Sequence, residues 1–203
     1  RSSDLEIVDS IEYIKLETNK NCLLSGAYKA FSEKYLAFAT VKPANIFIFN
    51  KQGRFIRSIG KQGQGPGEYS ELSMIDISPD QDKIIIEDDI QKAFIEYNMD
   101  GNHIQTIKPS APLVLKGPFY LDQNSVVYVQ NSIKDSLNFP RVVAMNLKTH
   151  QEISLNIVDF ERPNVKNGAY IDPEFLRIDN GVLFKDCVKD TLYHIANDLS
   201  LTP

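Results

Sequence analysis

Gly60-Lys61-Gln62-Gly63-Gln64-Gly65-Pro66-Gly67-Glu68-Tyr69 is the stretch whose reading separates two kinds of fold. It holds four glycines and a proline in ten residues and no apolar run. Glycine accepts positive φ and close backbone approach, and proline fixes one dihedral, so this is a shaped loop. It is either a phosphate cradle or a connector between structural repeats. A phosphate cradle needs a helix behind it, whose first N–H groups face the anion. Here a strand-like run follows, Met74-Ile75-Asp76-Ile77, and no Lys-Ser or Lys-Thr stands after the last glycine. The glycine spacing matches neither the dinucleotide nor the Walker pattern. The connector reading is preferred, and Glu68 is expected to accept N–H groups of the turn.

Outward from this loop the chain repeats itself. Strand-like runs precede it at residues 26–31, 35–39, 46–49 and 54–59. Another set follows at 74–77, 83–86, 93–97 and 103–108. A third lies at 118–121, 125–130, 141–145 and 152–157, and a fourth at 175–178, 182–184 and 191–195. Asn50, Asn98 and Asn146 mark the turn between third and fourth strands, each 48 residues after the one before. The next mark is expected at His194. Four short strands at a period near 48 are the signature of β-propeller blades. The 3.6-residue pattern of helical repeats is missing. The fold class is therefore all-β, about four blades of four antiparallel strands, spanning residues 24–60, 72–108, 117–158 and 169–203. Ahead of them, residues 5–18 alternate on a two-residue period and are expected to form one more strand.

Several of these segments resemble a known family. Gly63-Gln64-Gly65-Pro66-Gly67-Glu68-Tyr69, then Ile84-Ile85-Ile86-Glu87-Asp88, then Phe94-Ile95-Glu96-Tyr97-Asn98-Met99-Asp100-Gly101 are similar to an NHL-type repeat. Together with Ile11-Glu12-Tyr13-Ile14-Lys15-Leu16-Glu17-Thr18 and Lys189-Asp190-Thr191-Leu192-Tyr193-His194-Ile195, they resemble the six-bladed β-propeller proteins common in Bacteroidetes. Many of those are secreted lipoproteins of unknown function. The resemblance implies a ring of six blades, of which this chain carries about four. It implies a periplasmic or cell-surface location with a lipid anchor. It also implies that the N-terminal strand completes the last blade of the full ring; in this chain, which lacks that blade, the strand is expected to pair with the fourth blade, with another chain, or not at all.

Composition narrows the function. The 203 residues are 42% apolar and 24% charged, with net charge −5. Without a basic stripe, nucleic acid and anionic membrane surfaces are not expected partners. No apolar run approaches the 18 residues of a membrane span. The first residues, Arg1-Ser2-Ser3-Asp4, lack a signal-peptide pattern, as expected if a targeting segment is removed upstream. Cys22 and Cys187 fit no zinc spacing and read as free thiols, or as a disulfide in an oxidising compartment. His103, His150 and His194 do not form a paired-histidine metal motif, and no Gly-x-Ser-x-Gly elbow is present. No metal or cofactor is expected.

The candidate site follows from blade topology. Blade-to-blade crossovers share one end of a propeller with the loops between second and third strands. Those loops are residues 40–44, 88–92, 131–139 and 185–190. That end is rich in amides and both charge signs. Lys61, Gln62, Gln64, Asp88, Asp89, Lys92, Lys134, Asp135, Lys185 and Asp186 are the expected ligand-binding face. Asp88 also has a turn-forming reading. The leading expectation is a non-catalytic module for a glycan, a peptide or a protein, with open blade edges available for pairing. The alternative is a propeller lyase or hydrolase with a metal-assisted site at the channel mouth.

Overall fold

The computed structural model describes residues 11–110, 114–131, 140–155, 174–185 and 191–203. Among the described residues, sixteen strands form four separate sheets of four, each in sequence order and antiparallel throughout. This is a β-propeller. Blade 1 comprises β1 (Ala27–Phe31), β2 (Tyr35–Val41), β3 (Ala44–Asn50) and β4 (Phe55–Ile59). Blade 2 comprises β5 (Leu72–Ile77), β6 (Lys83–Asp88), β7 (Ala93–Asn98) and β8 (His103–Ile107). Blade 3 comprises β9 (Val114–Tyr120), β10 (Ser125–Asn131), β11 (Pro140–Asn146) and β12 (Glu152–Leu155). Blade 4 comprises β13 (Glu174–Ile178), β14 (Gly181–Lys185), β15 (Leu192–Ala196) and β16 (Leu201–Thr202). The first strand of each blade is innermost: β1 packs on β5, and β5 on β9.

The two-residue side-chain period sets which blade each residue meets. Ile84 and Ile86 of β6 join Ala37, Ala39, Ile46 and Ile48 in the core between blades 1 and 2. Ile85, between them, faces the other way and packs with Tyr120, Val126 and Tyr128 against blade 3. A middle strand buried on both faces needs a continuous apolar run, and Ile84-Ile85-Ile86 supplies one. Full burial of each isoleucine contributes roughly 1.5–3 kcal/mol relative to exposure. Val127, Val142, Val182, Phe184 and Ile195 form the equivalent core between blades 3 and 4.

The asparagine marks have a local cause. Asn50 Oδ1 accepts the N–H groups of Gln52 and Arg54 at 3.0 and 2.9 Å. Asn98 Oδ1 accepts Asn102 N–H at 2.8 Å, and Asn146 Oδ1 accepts those of Lys148 and Thr149 at 2.9 and 3.0 Å. The side chain imitates a backbone turn, as asparagine does at hairpins. In blade 4 the matching backbone bond, in which Ala196 N–H donates to Ser200 O, puts the turn at Ala196 rather than His194. The period has lengthened by two residues there. His194 instead lies within β15.

The expected strand over residues 5–18 is corrected in its described part, since residues 11–18 enter no β-ladder. They lie along the outside of blade 1, where Glu17 N–H donates to Gly53 O at 2.7 Å and Phe55 N–H donates to Glu17 Oε2 at 3.0 Å. Ile14, Leu16, Leu24 and buried Cys22 pack on Phe38, Phe49 and Phe55, the sheet face turned away from blade 2. A pattern of apolar alternation thus buries one side without a ladder. Cys22 is a free thiol, and Cys187 lies outside the described residues.

Candidate functional site

The two ends of the propeller differ. At the crossover end, residues 60–69 fold back on themselves: Gly63 N–H donates to Tyr69 O, and Tyr69 N–H to Lys61 O. Gly60 has φ of +64°, and a Cβ there would come within 2.9 Å of the Tyr69 and Tyr97 rings. Glu68 Oε2 accepts Gly65 N–H at 2.9 Å, as expected, and this bond chiefly holds its carboxyl below the usual range. Asp88 is fully buried. Its Oδ1 accepts the N–H groups of Ile90 and Gln91 at 3.0 Å, and its Oδ2 accepts Ser70 N–H and Gln91 Nε2. Its oxygens are thereby committed to joining the crossover to the turn after β6.

The other predicted residues at this end are spread out. Lys61 is 80% exposed and reaches Glu68 Oε1 at 3.6 Å. Gln62 Nε2 donates to Ser70 O at 3.2 Å, and Gln64 is exposed. Asp89 and Lys92 form a half-exposed pair at 3.7 Å. Lys185 is exposed at the end of β14. Lys134, Asp135 and Asp186 lie outside the described residues. Lys61, Gln62, Gln64, Asp88, Asp89 and Lys92 lie at the same end of blade 2, in its entering crossover and in the turn after β6.

The opposite end carries the turns between first and second strands. Around the axis these turns from all four blades line an open cavity of about 530 Å³. Its wall includes Phe31 and Glu33 of blade 1, Ser78 and Gln81 of blade 2, Gln123 of blade 3 and Asp179 of blade 4. Arg177 also lines it. Its Nη2 donates to Asp76 Oδ2 at 2.7 Å and to Ile77 O at 3.2 Å, and its Nη1 donates to Tyr120 O at 2.7 Å. The guanidinium stands 4.8 Å from the centroid of the Phe119 ring. One side chain of blade 4 thereby ties blades 2 and 3 together.

Asp76 is the buried half of this pair. Tyr120 N–H also donates to its Oδ2, at 2.8 Å. Burial pushes the Asp76 carboxyl up to about 6, against the opposing pull of Arg177 and of the N–H donors. The network continues outward. Tyr120 Oη donates to Glu96 Oε1 at 2.8 Å, Lys83 Nζ lies 2.9 Å from the same oxygen, and Gln105 Nε2 donates to Glu96 Oε2 at 2.7 Å. Glu96 is almost fully buried, so these partners are what make its charge tolerable. Burial, followed by the Glu96 charge, raises the Tyr120 hydroxyl well above its ordinary value.

Sequence reasoning missed Arg177, though a signal was present. Its register partner is Val182, as Phe31 pairs with Leu36, Ile77 with Ile84 and Tyr120 with Val126. Arg177 therefore holds a position that is apolar or aromatic in the other three blades. A charge at that repeat position marks the axis. Among the described residues no group of three or more His, Cys, Asp or Glu side chains is arranged to hold a metal ion.

A search of curated proteins found no match. Solved structures share the fold at low identity. A protein assigned as exported from Bacteroides fragilis superposes with a TM-score of 0.71 at 20% identity, over 96% of this chain and 54% of that one. A member of the DUF4221 family from Bacteroides vulgatus gives 0.62 at 15% identity, over 92% and 59%. Streptogramin B lyase gives 0.54 at 13% identity, over 88% and 54%. The chain thus spans little more than half the length of these structures. The family model that matches residues 2–203 is a domain of unknown function, DUF4934, and the chain belongs to that family.

Proposed function

We propose that this protein is a non-catalytic binding module of an exported, lipid-anchored bacterial protein, and that its ligand enters the axial cavity lined by Arg177. The carrying observation is the cavity itself. Turns from four blades converge on it, its volume falls within the roughly 300–1,000 Å³ of ligand clefts, and a guanidinium fixed by three bonds lines it. An arginine held this way is preorganised, so little ordering is left for binding to drive. The export reading draws support from the Bacteroides fragilis relative. The six-bladed ring draws support from structures of the same fold of which this chain covers only 54% and 59%.

The crossover end is the second candidate. Lys61, Gln62, Gln64, Asp89, Lys92 and Lys185 offer exposed polar groups there, suited to the rim of a protein interface. Hydrogen-exchange footprinting in the presence of oligosaccharide and peptide panels separates the two. Protection of residues 31–34, 77–81 and 121–124 is the expected result. Protection confined to residues 60–69 and 88–92 would move the site to the crossover end.

A further inference from the structure

We infer that the axial cavity and the groove leading out of it take a neutral, hydroxyl-rich chain, that is, an oligosaccharide. This rests on the reading of the cavity as the ligand site. A second cavity of about 500 Å³ shares Asp122, Gln123 and Asn197 with the first. The two therefore adjoin, and together they extend from the axis along the seam between blades 3 and 4 to Ile153 on the outer strand β12.

The other seams are tied at this end. Lys34 N–H in the blade 1 turn donates to Gln81 Oε1 at 2.8 Å, and Lys83 Nζ of blade 2 donates to Gln123 O at 2.6 Å. At the third seam Arg177 Nη1 of blade 4 donates to Tyr120 O at the end of β9, and among the described residues the turn beyond it, 121–124, makes no bond to blade 4. That seam opens into the groove instead.

The lining selects the chemistry. Gln81, Gln123, Asn124, Asn146, Gln151 and Asn197 line it. Gln81 Oε1 and Asn146 Oδ1 already accept backbone N–H groups, while the side-chain amides of Gln123, Asn124, Gln151 and Asn197 are held by no hydrogen bond among the described residues. An amide donates and accepts within one plane, which suits a hydroxyl that does both. Glu33, Asp122 and Asp179 stand at the axial end, where Arg177 is already paired with Asp76, so an anionic ligand meets net negative charge. Beyond Asp122 the outer half holds amides and apolar groups with no further charge, which gives a polycation little to follow. Phe31 and Ile153 are 56% and 45% exposed and supply apolar surface at the two ends for the carbon faces of sugar rings. An extended peptide binds best along an open strand edge, which provides a main-chain ladder. The turns along the axial part of this wall offer none, and the groove meets an edge strand at its outer end, at Ile153 of β12.

The test is calorimetry with neutral gluco-, manno-, galacto- and xylo-oligosaccharides beside acidic, basic and neutral peptides. A Gln123→Ala/Asn197→Ala variant removes two exposed amides common to both cavities without touching the buried network. One oligosaccharide series is expected to bind, and the variant to weaken it roughly tenfold or more, the scale of about 1.4 kcal/mol. A peptide that binds with the same sensitivity would overturn the ligand class and leave the site standing. Binding indifferent to this variant but lost in Lys61→Ala/Lys92→Ala would overturn the site as well. No binding from either panel would remove the oligosaccharide inference.

Discussion

Asp76 and Arg177 show how one charge pair couples the axis to the folding equilibrium. A carboxyl whose folded pKa lies above its unfolded value binds a proton more readily in the folded state. Asp76 is raised from 3.8 to about 6, mainly by burial. Its contribution to stability is therefore complete below about pH 4 and is lost as pH rises through about 6. The loss is on the order of 3 kcal/mol, at about 1.4 kcal/mol per pKa unit. Asp76→Asn keeps an oxygen for Tyr120 N–H and Arg177 but cannot titrate. Urea denaturation from pH 4 to 7 is expected to show wild-type stability falling relative to the variant across this window. A difference between the two that stays constant with pH would mean that Asp76 does not titrate there. Arg177→Leu restores the apolar pattern of the other blades but leaves Asp76 without its cation. At pH 7 it is expected to cost about 3 kcal/mol, in the range for breaking a buried pair, and less at pH 5, where Asp76 is protonated.

At the scale of elements, the crossover over residues 60–69 is held by backbone and by Asp88, and both can be tested. Asp88→Ala removes the acceptor of the Ser70, Glu71, Ile90 and Gln91 N–H groups near a buried position, while the Gln91 side-chain amide keeps Glu68 O. At about 1–3 kcal/mol per unsatisfied buried group, a loss above about 3 kcal/mol is expected in chemical denaturation. Gly60→Ala combines a positive φ, which costs about 1–2 kcal/mol for an L-residue, with contacts of 2.9 Å to two tyrosine rings. An unchanged midpoint in either variant would mean that the loop does not depend on these groups. This element was legible in the sequence because its glycines and the asparagine turns are local signals with a fixed interval. Asp88 and Glu68 were equally legible as turn residues. The axial cavity was not. Its parts, Phe31, Gln81, Gln123 and Arg177, come from four blades, and which end of the propeller they share depends on topology that no local motif records. Residues 11–18 misled for a related reason: alternation reports one buried side and cannot tell whether a strand partner exists.

For the whole molecule, residues 11–18 bear on how the proposed ring closes. The outer strand β4 of blade 1 lies over the hairpin of blade 2, where a Cβ on Gly101 would stand 3.7 Å from Ser58 O and Arg57 pairs with Asp100 at 2.8 Å. Gly53 holds the matching place in the hairpin of blade 1, 48 residues earlier, and a Cβ there would fall 2.2 Å from Lys15 O. Residues 14–17 therefore sit on blade 1 as β4 sits on blade 2. That is the seat of an outer strand belonging to a neighbouring blade. On the far side, Leu176 and Leu192 of blade 4 are 63% and 49% exposed, as a face awaiting another blade would be. The proposed six-bladed ring satisfies both ends at once, with two further blades between blade 4 and residues 11–18, the last of them taking this segment as its fourth strand. In a polypeptide extended by two repeats, the amides of residues 11–18 then gain ladder bonds. They are expected to exchange at least about tenfold more slowly than in the 203-residue chain, a difference of about 1.4 kcal/mol. Gly53→Ala should abolish that gain by displacing Lys15, while the amides of β6 and β7 keep their protection. Equal exchange of residues 11–18 in the two lengths of chain would show that the segment covers blade 1 as a strap and that the ring closes by other means.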